Sequence, residues 1–424
     1  MLYLRKLEGI TFYFSVFLIS IQLGKHFWPN FAFVQGIRID YLSPTLYLSD
    51  IFILLFIVLH IFNNFSAFFK LISKSIILPL FLISILISSF YAQNFDTSVY
   101  WSLKIIEIIL FGLCIANYSL SKKRIYTLVD VVVIAAILQS IIAFFQFVFQ
   151  GSLGGLLYFL GERSFNVDTI GISTFFTNGK EILRAYGTFP HPNVLALFLS
   201  ISLIFLLYII LKEKTGKRVY FYILSFMPIF LALLLTASRI IILLTIIITL
   251  LSFVKSKKHF FYAIMGLFIV IPLYLLIFSG RFLTLSSLID AFNVRVAFIS
   301  SSISIIRNNF LFGVGLNNTF FETEIIKNLP IYVRFQPVHN IYLHILSQVG
   351  IFGGVFIGVF LFKILHRAIK LGSDRNSFLF IVSFLVLQVL IVGLFDHFLV
   401  TLQQGMLMSA LLIGLLFNKS MESV

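Results

Sequence analysis

The sequence predicts an all-α integral membrane protein of about twelve transmembrane helices, and three observations predict it. Of its 424 residues 60% are hydrophobic and 11% charged, with a mean hydropathy of +1.06, which is more apolar surface than one aqueous core can hide. Apolar runs of about twenty residues, the length that crosses a bilayer, recur along almost the whole chain with short polar breaks. The 31 Lys and Arg residues fall in small clusters between those runs, the positive-inside pattern. A net charge of +15 would suggest nucleic acid in a soluble chain, but distributed in this way it implies a lipid bilayer as partner and no nucleic acid.

In order, the predicted spans lie near 9–24, 46–62, 76–92, 99–118, 125–149, 192–211, 219–235, 239–254, 260–279, 341–362, 377–394 and 399–417. The first follows Arg5 and Lys6 and has no small-residue cleavage site, so it reads as a retained span. The fourth carries Lys104 and Glu107, which share a face. They read as a structural ion pair or as one step of a proton relay. Cys114 is the only cysteine, which excludes an internal disulfide and suits a packed thiol. An even number of spans puts both termini on one side. Arg5 and Lys6, Lys70 and Lys74, Lys122 to Arg124, Lys212 to Arg218, Lys255 to Lys258, Arg367 to Arg375 and Lys419 fall on that side, which is therefore cytoplasmic.

The chain reads as a single polytopic domain, 1–424, with its two longest loops outside, near 150–191 and 280–340. The second is too long for a passive connection. Its periodic stretch Phe292 to Ile306 predicts a surface helix, and Phe312-Gly-Val-Gly315 a glycine turn. The first is rich in glycine and reads as an access segment or a loose connector.

Four polar constellations collect at outer span ends: Arg184-Ala-Tyr-Gly-Thr-Phe-Pro-His191-Pro-Asn193, Thr236-Ala-Ser-Arg239, Arg295 with Arg307, and His339-Asn340. Spans six, eight and ten run inward from that side, so their N-termini present unpaired N–H groups and partial positive charge there. Pro192 and Ser238 suit such N-terminal positions. With Arg184, Arg239 and Arg295 added, these ends make an anion site, for which a diphosphate at the membrane surface is the natural ligand.

The segments RAYGTFPHPN, TASR, Arg295 to FGVG, and HNIYLHILSQVGIFGG, in this order and spacing, resemble the O-antigen ligase and O-antigen polymerase superfamily. The resemblance covers about 180–415, whereas the first five spans match only in hydropathy. It implies a metal-independent transfer of a glycan from undecaprenyl diphosphate, with no cofactor, at the outer face of the cytoplasmic (inner) membrane. The acceptor would be a growing glycan, a lipid A core or another molecule. His339 matches the family's essential histidine, and Arg239 and Arg295 match its diphosphate-binding arginines. Arg184 and His191 match the preceding motif, and Asn340 follows the histidine. Gln348 departs from the pattern, since many relatives carry a carboxylate there.

Each of these residues also has a plainer reading. His339 would cap a helix, Arg239 would anchor at the interface, Arg295 would hold lipid headgroups, and His191 would shape a span entry. His344 lies off the His339 face and reads as packing. Asp396 and His397 form either a solvated connection or partners of His339. A flippase or secondary transporter is the competing functional class, but it predicts polar sites and broken helices at the membrane midplane.

Overall fold

The computed structural model describes residues 2–73, 76–177, 179–213, 215–253, 285–322, 334–372 and 377–422. The predicted ninth span, near 260–279, lies outside them. The chain is mostly helical, and among the described residues six helices are long and apolar enough to cross a membrane. These are α2 (Leu48–Ser73), α4 (Phe95–Asn117), α5 (Lys122–Phe149), α6 (Pro192–Lys212), α7 (Lys217–Leu235) and α10 (Ile341–Leu371). Shorter apolar helices complete the bundle: α1 (Leu2–Leu18), α3 (Ile77–Phe90), α8 (Arg239–Phe253), α11 (Phe378–Val392) and α13 (Gln403–Leu416), the last preceded by one turn, α12 (Phe398–Thr401). Helix α9 (Leu285–Asn308) lies between α8 and α10 in sequence.

Helix α6 is the hub. It is apolar nearly throughout and packs against α5, α7, α8 and α11, as a helix hydrophobic on all faces must. Its start follows from sequence: Pro192 occupies the first helical position, where a missing N–H costs nothing. Cys114 is free and fully buried against this core. On α4, Lys104 Nζ lies 3.0 Å from Glu107 and 2.7 Å from Asp50 of α2, a third member that the i, i+3 spacing does not reveal. Asp50 also accepts from the side-chain amide of Gln403 and from the Tyr47 N–H.

The connections at one end of the bundle carry short strands. Residues 19–47 form two small antiparallel pairs, β1 (Gly24–His26) with β4 (Thr45–Tyr47) and β2 (Phe33–Val34) with β3 (Ile37–Arg38). Ala32, Val34, Ile39 and Leu42 of this segment share a small core with Phe320 and Phe335. A third hairpin, β5 (Thr174–Thr177) with β6 (Lys180–Leu183), leads into the Arg184 segment.

The expected surface helix is α9. It buries Phe298, Ser301, Ser302 and Ile305, an i, i+3, i+4, i+7 stripe, and packs on α10. The glycine turn after it does more than end a helix. At Gly350 (φ 61°, ψ −170°) helix α10 is broken, although the sequence reads as one continuous span. The turn pairs with the groups that the break frees. Val314 N–H donates to Ser347 O (3.1 Å) and Gly315 N–H to Gln348 O (2.9 Å), while Ile351 N–H donates to Phe310 O (2.8 Å) and Phe352 N–H to Leu311 O (3.1 Å). Ser88 Oγ of α3 adds a bond to Gln348 O at 2.6 Å. Interrupted backbone inside a helical bundle is stable only when its polar groups are satisfied in this way. Two of the four sequence motifs are therefore halves of one interlock.

Candidate functional site

The other polar motifs meet at the end of the bundle where α6, α8 and α10 begin. The Arg184 segment is pinned to two glutamines of α5. Gln146 Oε1 accepts from Gly187 N–H (2.8 Å) and its Nε2 donates to Gly187 O (2.8 Å), while Gln139 Oε1 accepts from Thr188 N–H (2.8 Å). This places Arg184 inward, 3% exposed. Its Nε donates to Thr236 O (2.7 Å), Nη1 to Ser173 Oγ (2.6 Å) and Nη2 to Asn193 Oδ1 (2.7 Å). A guanidinium so engaged ties the Thr236-Ala-Ser turn to the start of α6. These three bonds of its fork are all directed at protein oxygens.

Asn193 extends the chain of contacts, since its Nδ2 donates to Asp396 Oδ2 at 2.6 Å. Asp396 Oδ1 accepts from the His397 N–H at 2.8 Å. The His397 ring is buried, with Nδ1 2.7 Å from Thr401 Oγ1, and stands edge-on to the His339 ring at 5.0 Å. Tyr41, from the connection between α1 and α2, stands edge-on to His397 at 5.6 Å. His339 is half-buried and tilted against Phe298 of α9 at 6.2 Å. Its Nδ1 is buried and has no hydrogen-bond partner among the described residues.

Electrostatics keep these imidazoles neutral. Burial lowers the basicity of His339, the Arg295 guanidinium adds to that, and Asp396 opposes it. His191 is pushed down to about 3, by burial first and by Arg184 next. His397 is lowered by burial and then by the neighbouring His339 and His344. A neutral imidazole at pH 7 can accept a proton, whereas an imidazolium cannot.

The remaining predicted residues separate into two groups. Asn340 caps α10, its Oδ1 accepting from Tyr342 and Leu343 N–H (both 3.0 Å) and its Nδ2 donating to Leu394 O (3.3 Å). His191 caps α6 through Nδ1, which accepts from Asn193 N–H at 3.1 Å. Both thus serve the frame. Arg239 and Arg295 are exposed, the first at the opening of α8 and the second on α9, close enough to His339 to depress its basicity. Arg307 is exposed at the far end of α9. His344 is buried below the site with Nε2 2.7 Å from Gln348 Nε2, so the amide donates to the imidazole. Among the described residues no group of three or more His, Cys, Asp or Glu is disposed to hold a metal ion.

Sequence reasoning missed Tyr41 and Arg163. Arg163 is exposed, donates from Nη2 to Pro190 O at 2.8 Å, and acts electrostatically on His26, Tyr41 and Tyr186. Neither lies in a periodic segment or a recognisable motif. Their only signal is position in a connection between apolar runs.

Residues 223–358 match the family model described as O-antigen ligase. The match spans Thr236-Ala-Ser-Arg239, Arg295, the glycine turn, His339 and the break at Gly350, whereas the Arg184 to Asn193 segment precedes it. No curated protein matches the chain.

Proposed function

With residues 223–358 supporting the O-antigen ligase superfamily for this chain, we propose that the protein is a membrane glycosyltransferase. It moves a glycan from undecaprenyl diphosphate to an acceptor hydroxyl at the outer face of the cytoplasmic membrane, as an O-antigen ligase or a polysaccharide polymerase. The observation that carries this reading is His339: a half-buried imidazole kept neutral beside Arg295 and Asp396, within the matched segment.

The reaction requires the acceptor oxygen to attack the anomeric carbon while the bond from that carbon to the diphosphate oxygen breaks. His339 takes the acceptor proton, and polyprenyl diphosphate leaves with the bonding electron pair. Arg295 and Arg239 face the growing negative charge of the leaving group, aided by the N-termini of α8 and α10. Arg184, Asn193, Asp396 and His397 hold the frame in which His339 sits. Arg163, exposed and bonded to Pro190 O next to His191, suits contact with the glycan or an acceptor anion.

The test is deletion of the gene in its native host and complementation with wild type or His339→Ala, followed by analysis of surface polysaccharide and the lipid-linked pool. Long glycan stranded on the carrier identifies a ligase, and single repeat units on carrier or acceptor identify a polymerase. An unchanged pool and surface, or full rescue by His339→Ala, contradicts the proposal.

A further inference from the structure

Arg163 stands on a rigid mount. On one side of it the buried Glu162 carboxylate accepts from Leu153 N–H (2.9 Å), Gly154 N–H (2.7 Å) and Gln146 Nε2 of α5 (2.7 Å). On the other side Phe165 is buried against Leu183 and Tyr186. Gly161 (φ 83°) lies so close to the Gln22 and Leu23 backbone that a Cβ would overlap it, and Gln22 N–H donates to Leu160 O at 3.3 Å. The position is thus locked both to α5 and to the connection between α1 and α2.

Fixed there, the guanidinium is exposed and donates one N–H to Pro190 O at 2.8 Å. Among the described residues no carboxylate pairs with it, whereas Arg38, which acts electrostatically on the same His26, has Asp40 at 3.6 Å. An exposed, unpaired arginine contributes little to stability, so a rigid mount for one points to an anion from outside the chain. The surroundings suit a sugar. The His26 ring, with Nδ1 2.9 Å from Thr45 Oγ1, stacks on Trp28 at 5.7 Å and 14°, and both rings are exposed. Arg38 lies over Trp28 at 4.5 Å. Aromatic faces beside guanidinium groups accept the C–H side of a pyranose while its polar substituents find donors.

Two chains of contact lead from Arg163 to His339. Pro190 directly precedes His191, which caps α6 through Asn193 N–H, and Asn193 holds Asp396 at 2.6 Å beside His397. Separately, Arg163 acts electrostatically on Tyr41, which stands edge-on to His397 at 5.6 Å, and His397 stands edge-on to His339 at 5.0 Å.

We propose that Arg163 selects a negatively charged glycan, binding a carboxylate or phosphate group of the donor or acceptor through its free fork while the sugar ring lies along His26 and Trp28; this rests on the proposed function. A guanidinium matches either group bidentately. Because the mount fixes Arg163 before the glycan arrives, little ordering is left to oppose binding. Arg163 touches none of the reacting atoms, so its effect falls on substrate affinity and not on the chemical step.

The test uses the full-length protein in nanodiscs with lipid-linked donor and acceptor purified from the native host. Each substrate is used untreated, with its carboxylates converted to methylamides, or with its phosphate monoesters removed by alkaline phosphatase. The expected result for Arg163→Gln is a rise in KM of about tenfold or more for one untreated substrate, the loss of a charge-assisted bond, with kcat within about twofold and melting unchanged. Arg163→Lys, which keeps the charge without the fork, falls between the two. Neutralising the group that Arg163 reads raises KM for wild type to the Arg163→Gln value and leaves Arg163→Gln unaffected; amidation has this effect if the group is a carboxylate, phosphatase if it is a phosphate. Wild-type KM values for both substrates in Arg163→Gln, equal responses of variant and wild type to neutralisation, or native substrates whose glycans bear neither group overturn the inference while leaving the enzyme reading intact. No transfer by wild type overturns the enzyme reading itself.

Discussion

The interlock between the glycine turn and the broken α10 makes Gly350→Ala a severe substitution at a position that sequence alone would treat as a helix interior. Gly350 has φ 61° and ψ −170°, a combination open essentially to glycine. A Cβ there would meet Gly313 N and Leu311 C and O at 2.5 Å, all backbone atoms that cannot swing aside. The backbone strain costs about 1–3 kcal/mol. Relief by displacement of the turn would break some of the four bonds made by Val314, Gly315, Ile351 and Phe352, at about 1 kcal/mol each. Together these amount to about 3–6 kcal/mol, and the loss falls on the element that orients His339. Gly358 is the internal control, since it lies in the lower segment of the same helix with nothing within 4 Å of the place a methyl group would take. Gly358→Ala should be neutral or stabilising by up to about 1 kcal/mol. Purified variants compared by thermal unfolding in detergent, with monodispersity by gel filtration, give the answer. A Gly350→Ala protein that melts with wild type would refute the interlock.

Arg184→Lys should destabilise nearly as much as Arg184→Ala, by about 3–5 kcal/mol, because one ammonium cannot replace three directed bonds to Thr236, Ser173 and Asn193; near-wild-type melting of Arg184→Lys would contradict this. Lys104→Met strands the Asp50 and Glu107 carboxylates in the bundle and should cost about 3–5 kcal/mol, most of it recovered by adding Asp50→Asn and Glu107→Gln. Normal transfer by that triple variant excludes a proton relay, whereas loss of transfer with restored folding would support one. Transfer should fall as pH drops through the depressed His339 value, below 6.5, and stay flat above neutrality, because the protonated ring cannot act as base. Asp396→Asn removes the one charge that raises His339, so its acid limb should move to lower pH; a shift the other way argues against the assignment. His191, neutral in the fold, ties stability to pH in the same sense: its contribution is complete above 6.5 and is lost as pH falls from there toward about 3, at up to about 1.4 kcal/mol per pH unit.

Hydropathy locates several helices closely, although the first expected span, 9–24, is the helix Leu2–Leu18 and the chain has entered β1 by Gly24. The expected sixth span at 192–211 is Pro192–Lys212, and the seventh at 219–235 is Lys217–Leu235. The start of α6 is equally legible at Pro192, which takes the first helical position as expected, whereas the residue that caps α10 is Asn340 and not the His339 beside it that the sequence suggests for that role. The break at Gly350 is not legible, since an apolar window averages over the one residue whose φ matters and the partner turn lies 35 residues earlier. The direction in which Arg184 points is hidden for a related reason: an arginine at a span end reads as outward-facing unless its acceptors, here on three separate segments, are known. Lys104 and Glu107 are visible as a pair through helical spacing, but Asp50 comes from another helix. Tyr41 reaches His397 across more than 350 residues of chain, and no pattern in one sequence announces such a contact.

The most direct measurement is a reconstituted reaction with purified protein, glycan-bearing undecaprenyl diphosphate and a defined acceptor, following new glycosidic bonds and released undecaprenyl diphosphate by mass spectrometry. Wild type should produce both in equal amounts, with at least a hundredfold loss in a His339→Ala protein that remains folded. Transfer retained by His339→Ala, or donor crossing the bilayer without any new glycosidic bond, would contradict the assignment of His339 and of the enzyme class.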